Sequence, residues 1–296
     1  MARPEKEHSM ARTPAPTSVI HDIGYQRYEG VRLGRAHAVR ALYVASLRSA
    51  FGLGRSAKAK MLPFGLMGLL AGIGALLAVV RQVTGEVPLK YMEFPVQVGL
   101  LIIIFLAVVA PELVSRDLGN KTLALYFSRP ISRIDYAVAK LAALMTAVFS
   151  VLMAPLLIMF AGAALSVDGL GKVWDEFREF VPGMLTSLGF AVTLSALALL
   201  IASSTGRRAF AAGGVVAVFL VTTPVAAVIS EIGNGAVADL GLVLSPLTLL
   251  EGARAWTFRD GPSYYGDYGW AYALVTIVLA AASAALFIQR YRKVAA

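Results

Sequence analysis

Cutting the sequence at every Asp, Glu, Lys and Arg leaves six uncharged, strongly apolar runs: 61–80, 94–111, 141–167, 180–206, 209–230 and 268–289. A helix needs roughly 20 apolar residues to cross about 30 Å of hydrocarbon. The pattern therefore predicts an all-α integral membrane protein with six transmembrane helices, at about 61–80, 94–111, 138–165, 181–204, 209–230 and 268–289. Ahead of them, Val39, Leu42, Tyr43, Leu47 and Ala50 gather on one side of a helical projection and His37, Arg40, Arg48 and Arg55 on another. This predicts an N-terminal amphipathic helix lying in the cytosolic interface and leading into span one. Three regions result: a disordered cytosolic tail over 1–18, an amphipathic interface segment over 19–60 and a six-span domain over 61–296.

Several spans carry finer signals. Gly68 and Gly72 stand four apart in span one, with Gly65 and Gly74 nearby, which lets a neighbouring helix approach closely; packing within the chain is the expected use. The runs 141–167 and 180–206 hold 27 residues each, roughly 40 Å of helix and too long for a simple crossing. Pro155 is positioned to kink span three, and Pro182 suits the first turn of span four. Between them Val173, Trp174, Phe177 and Phe180 interleave with Asp175, Glu176, Arg178 and Glu179, the pattern of an external interfacial helix. The uncharged stretch 240–250, interrupted by Pro246, is half a crossing and is re-entrant, interfacial or packed over the outer face. The aromatic residues after it, from Trp256 to Tyr272, read as a headgroup belt or a substrate exit surface.

Composition agrees with a membrane assignment, at 58% hydrophobic, 15% charged and a mean hydropathy of +0.71. The net charge of +9 points to nucleic acid only until the charges are placed. With both termini in the cytosol, 21 Lys and Arg fall inside and 6 outside, while 7 acidic residues fall inside and 11 outside. That is the positive-inside rule for the cytoplasmic (plasma) membrane, with a contribution from anionic lipid. No aromatic-studded basic domain accompanies the charge, so no nucleic-acid partner is expected. The polar residues 1–18 contain no apolar core of a cleavable signal peptide.

The chain lacks cysteine, and His8, His21 and His37 all precede the first span, so a thiolate nucleophile or a metal site within the membrane is not expected. The six runs hold no ionisable group, which disfavours an ion-coupled carrier, although Gln97, Thr146, Ser150, Thr193, Ser195, Thr222 and Thr223 remain possible ligands. There is no His-Glu-x-x-His helix, intramembrane aspartate pair or Gly-x-Ser-x-Gly elbow, so no membrane hydrolase is expected. Gly119-Asn120-Lys121-Thr122 imitates the end of a phosphate-binding loop but lacks the glycine before the lysine. If ATP drives this protein, another chain binds it.

The connection 112–140 is the most informative stretch. Residues 120–128 can form a short helix displaying Leu123, Leu125, Tyr126 and Phe127, and Pro130 forces Arg129 out of helical geometry. Ser132 with Asp135 makes a capping box for the helix that enters span three. A short apolar helix on a tight turn is either a surface gripped by a partner or a well-packed loop.

An acidic residue ending span two (Glu112), then Arg116-Asp117-x-Gly119-x-x-Thr122-Leu123, then Arg129-Pro130-Ile131-Ser132-Arg133 with Tyr136 and Lys140, resembles the permease subunits of ABC type-2 transporters. The opening Ile20-His21-Asp22-Ile23-Gly24-Tyr25 is similar to bacterial members as well, and with the six spans the likeness covers 20–296. The resemblance implies the membrane subunit of an ATP-driven exporter, working as a dimer with an identical or homologous second permease. It implies that Glu112, Arg116, Asp117, Asn120, Thr122, Leu123, Leu125, Tyr126, Phe127, Arg129, Pro130 and Arg133 form a cytosolic coupling helix and its surroundings, contacting separate nucleotide-binding ATPase subunits. On this reading ATP and Mg sit on the ATPase, and the chain itself binds no cofactor and is no enzyme. A non-transporting membrane sensor or scaffold is the alternative class.

Overall fold

A computed structural model describes residues 30, 33–128, 130–260 and 268–293. The tail over 1–18, the motif beginning at Ile20, and Arg129 lie outside the described residues. Among the described residues twelve α-helices follow in order: α1 Arg35–Ala50, α2 Ala57–Thr84, α3 Phe94–Gln97, α4 Gly99–Leu113, α5 Ser115–Gly119, α6 Leu123–Phe127, α7 Arg133–Ser166, α8 Leu170–Ala202, α9 Arg208–Ile232, α10 Ala236–Gly241, α11 Pro246–Phe258 and α12 Gly269–Lys293. A 3-10 turn, Leu242–Leu244, separates α10 from α11, and no strand occurs among the described residues.

Among the described residues six helices are long and apolar enough to cross a membrane: α2, α4 continued by α5, α7, α8, α9 and α12. Each overlaps one of the six predicted spans, although the second begins at Gly99 and not at 94, where the short helix α3 stands apart. They alternate in direction, so that α1, the α5–α6 connection, the α8–α9 turn and the end of α12 meet at one end of the bundle. Ion pairs and hydrogen bonds fasten that end. Arg35 holds Asp135 at 2.7 Å, Ser115 Oγ donates to the Ala202 carbonyl at 2.7 Å, and Arg290 donates to the Ser204 carbonyl at 3.2 Å.

The core is centred on α4, whose Ile102, Ile103, Phe105, Leu106, Val109, Ala110 and Leu113 are buried among α7, α8, α9 and α1. Burying one such side chain stabilises by about 1.5–3 kcal/mol in water, whereas in a bilayer close packing takes over that role. Large apolar side chains stay exposed along α2, α9 and α12, among them Leu69, Leu76, Val221, Val228 and Ile277. Such faces suit hydrocarbon, and the helices satisfy their own backbone groups.

A helix, α1, stands where the amphipathic segment is expected, turned so that Leu42 and Ala50 are buried and Val39, Tyr43 and Leu47 pack on the core. The predicted capping box at the start of α7 is present. The Ser132 hydroxyl accepts from Asp135 N at 3.1 Å, and the Asp135 carboxylate accepts from Ser132 N at 2.9 Å.

Two expectations need correction. The separate external helix expected over 173–180 is the first three turns of α8, and Pro182 lies inside that helix rather than in its first turn. Charged residues ended the uncharged run but not the helix. Glu176 turns inward, where Arg81 grips it bidentately at 2.6 and 2.7 Å and the Tyr91 hydroxyl donates to it at 2.6 Å. Burial, and then the bond to Glu176, push the Tyr91 phenol above its ordinary value, so it stays a proton donor. At 33 residues, α8 is roughly 50 Å long, more than the about 30 Å of hydrocarbon requires.

The second correction concerns span one. Gly68 and Gly72 face open space, and the close approach of α2 to α7 is made instead by Gly74. A Cβ on Gly74 would lie 2.7 Å from the Pro155 carbonyl oxygen, and one on Gly162 would lie 2.7 Å from the Ala78 Cβ.

The half-crossing resolves into a broken pair. The segment Ala236–Leu244 and helix Pro246–Phe258 meet at 119°. At the corner, the Ser245 hydroxyl lies 2.9 Å from that of Thr223 in mid-α9. Thr223 stands nine residues before the end of α9, roughly 14 Å along the axis, so the segment dips in and climbs back. Pro246 begins α11 without needing a bonded N–H.

Candidate functional site

The connection that sequence reasoning singled out is built around two carboxylates five residues apart, one at the end of α4 and one in α5. Glu112 is only 6% exposed. Three guanidiniums from separate parts of the chain converge on it: Arg55 ahead of α2 at 2.6 Å, Arg116 on α5 at 2.7 Å and Arg208 at the start of α9 at 2.9 Å. The Arg116 contact is a hydrogen bond within one helical turn. The cluster carries a net charge of two positives at the protein surface.

Asp117 faces the other way, toward α7. It pairs with Lys140 at 2.8 Å and accepts the Tyr136 hydroxyl at 2.6 Å. After it the chain turns sharply. Lys121 takes a left-handed conformation at φ 53°, which costs a non-glycine residue about 1 kcal/mol. Thr122 returns its backbone N–H and its hydroxyl to the Asp117 carbonyl. Gly119 allows this turn to press on the α8–α9 connection, because a Cβ there would fall 2.5 Å from the Gly206 carbonyl oxygen.

The short helix expected over 120–128 is the single turn α6, and its apolar residues divide between two tasks. Leu123 is buried in the chain's own core, whereas Leu125 is 69% exposed. Tyr126 and Phe127 are half-buried and pack against Tyr136 of α7, the first tilted and the second edge-on, with ring centroids 5.4 and 6.2 Å away. Tyr136 in turn lies 5.1 Å from Tyr291 of α12, which meets Phe287 at 5.1 Å. A continuous aromatic column therefore runs from α6 through α7 to α12. Arg133 caps it, its guanidinium 5.7 Å from the Phe127 ring while donating to the Arg292 carbonyl at 3.1 Å. Asn120 and Pro130 are exposed beside it.

Between α1 and this connection lies a cavity of about 700 Å³, lined by His37, Glu112, Arg116, Asp117, Thr122 and Lys140, among others. No three His, Asp or Glu side chains come together as a metal site among the described residues. The polar span residues weighed as ion ligands are scattered: Ser150, Thr222 and Thr223 bond back to their own helices, and Thr146 also accepts from Tyr43.

The structure thus brings Glu112 and Arg116 into one cluster and Asp117, Tyr126, Phe127 and Arg133 into its neighbour. Sequence reasoning missed Arg55, Arg208 and Tyr291, which complete them. Their separations, from 57 to 174 residues from Glu112 or Asp117, leave no local signal in one sequence.

No protein-family model matches this chain, and no curated protein matches it.

Proposed function

We propose that the chain is the membrane-spanning permease subunit of an ATP-driven exporter of the ABC type-2 kind. It would form the translocation pathway as a dimer with a second permease and couple to a separate Mg-ATP-binding ATPase through the 112–140 connection. The reading places both termini and that connection in the cytosol of a plasma membrane, as the basic residues prefer. One observation carries it: α6 offers Leu125 to the outside while Leu123 and the aromatic column bind the same turn to the core, α7 and α12, and the preceding α5 is tied to α7 through Asp117 and, through Arg116 and Glu112, to the cluster with Arg208 of α9. A push on Leu125 would pass to α7 and α12 directly and to α9 through α5, which is what coupling a remote engine to a bistable bundle requires.

The division of labour within α6 supplies the test. Leu125→Asp should leave membrane abundance and thermal stability unchanged, because the side chain meets solvent, while weakening ATPase association about tenfold or more. Leu123→Asp should instead lower abundance, because it buries a carboxylate in apolar surroundings. Quantitative co-purification and coupled ATP hydrolysis read the first, and immunoblotting of membranes reads the second. Normal assembly and coupling in Leu125→Asp would remove α6 as the contact surface.

A further inference from the structure

A charge stands where the uncharged-run pattern gave no warning. Arg254, on the returning helix α11, is 6% exposed, and its Nε and Nη1 are buried without a hydrogen-bond partner. Asp260 Oδ2 lies 3.7 Å from Nη1, beyond hydrogen-bond length, and Oδ1 of the same carboxylate is held by Lys90 at 2.8 Å. Two cations thus share one carboxylate. A buried guanidinium with open donors is costly in apolar surroundings, and in membrane segments such groups mark binding sites.

The guanidinium lines a cavity of about 220 Å³ between α8, α11 and α12, whose walls include Thr186, Phe190, Leu250, Thr257 and Thr276. The three threonine hydroxyls donate to the Pro182, Ala253 and Tyr272 carbonyls of their own helices. Among the described residues Arg254 is therefore the side-chain donor of the lining without a hydrogen-bonded acceptor, and its ion-pair partner Asp260 is not part of that lining. Most of the lining is apolar, with Leu185, Phe190, Leu250, Ala253 and Phe258 beside the guanidinium, and Leu185 is about half exposed.

Arg254 lies four residues before Phe258, the last residue of α11, and its ion-pair partner Asp260 also holds Lys90 in the connection between α2 and α3, so the guanidinium stands near that end of the bundle. We infer that this cavity binds an anionic amphiphile, its phosphate on the Arg254 guanidinium and its chain along the apolar mouth between α8 and α11. Guanidinium and phosphate match in geometry and charge. The site is independent of the ATPase reading, since it uses neither α6 nor the carboxylates near it.

The test is thermal unfolding of the full chain in an uncharged detergent, titrated with dioleoylphosphatidylglycerol, dioleoylphosphatidylcholine or inorganic phosphate, without nucleotide or ATPase. Phosphatidylglycerol should raise the unfolding midpoint of the parent, phosphatidylcholine should do so much less, and R254Q should need at least tenfold more phosphatidylglycerol. Arg254→Lys should retain part of the effect, and Arg259→Gln, an exposed neighbour on the same turn, all of it. Gly189→Leu fills the cavity from α8, where a Cβ meets open space. It should unfold like the parent without lipid yet lose the lipid response, which keeps the test valid if R254Q does not fold. An equal lipid response in the parent and Gly189→Leu would overturn the site. A response to inorganic phosphate matching that to phosphatidylglycerol would overturn the amphiphile.

Discussion

Glu112→Ala should destabilise the purified chain by about 2–3 kcal/mol, with most of the loss recovered at high salt. The carboxylate is the common counter-ion of Arg55, Arg116 and Arg208, whose side chains are 33%, 51% and 54% exposed. Removing it leaves three like charges converging on one buried point. Breaking a fully buried pair costs about 3–5 kcal/mol, and the half-exposed arginines can swing toward water, which lowers the figure. Glu112→Gln keeps the shape and one acceptor and should fall between the parent and the alanine variant. Unfolding midpoints in neutral detergent at low and high salt measure the effect. An alanine variant as stable as the parent would mean that the three arginines are independent of one another. Because the cluster joins α4, α5 and α9, the same substitution should also uncouple ATP hydrolysis from transport on the proposed function.

The second large effect is expected at the α2–α7 crossing. Gly74→Val should cost about 3 kcal/mol and reduce membrane abundance, since its Cβ would meet the Pro155 backbone at 2.7–3.0 Å. Neither helix can yield locally, because the contact atoms are main chain and because Ala78 and Gly162 keep the helices equally close one turn further on. The same change at Gly72, where the Cβ meets nothing within 4 Å, should alter stability by about 0.5 kcal/mol or less. Parallel unfolding and abundance measurements on the two variants decide which glycine sets the crossing. Equal losses at both would show that the exposed face of α2 is packed against another molecule.

These two residues also mark what a single sequence makes legible. The six spans were readable because hydrocarbon thickness imposes a length that uncharged runs report directly, and the Ser132–Asp135 cap because it is contained in four residues. Gly74 was passed over for Gly68 and Gly72 because spacing identifies a small-residue stripe but not the side that meets a neighbour. The start of α8 was misplaced because a charge ends an uncharged run whether its side chain meets water or, like Glu176, turns inward onto an arginine. Arg254 was invisible for the same reason, since charges served as boundaries and never as contents of a buried segment. At the candidate site Glu112 and Asp117 stood out, whereas Arg55, Arg208 and Tyr291 reach them only through the folding of distant helices. Leu123 shows the limit most sharply: beside Leu125 in an apolar run it looks equally available to a partner, yet it belongs to the core.

Whether this chain is the permease of an ATP-driven exporter, as proposed above, is decided by isolating the protein from its native membranes in mild detergent and identifying what travels with it. A nucleotide-binding ATPase is expected in equal amount, with Mg-ATP hydrolysis that is lost from the isolated permease and restored on recombining the two. A chain recovered intact and in quantity with no ATPase, whose behaviour is indifferent to added Mg-ATP and any ATPase encoded beside it, would contradict the account.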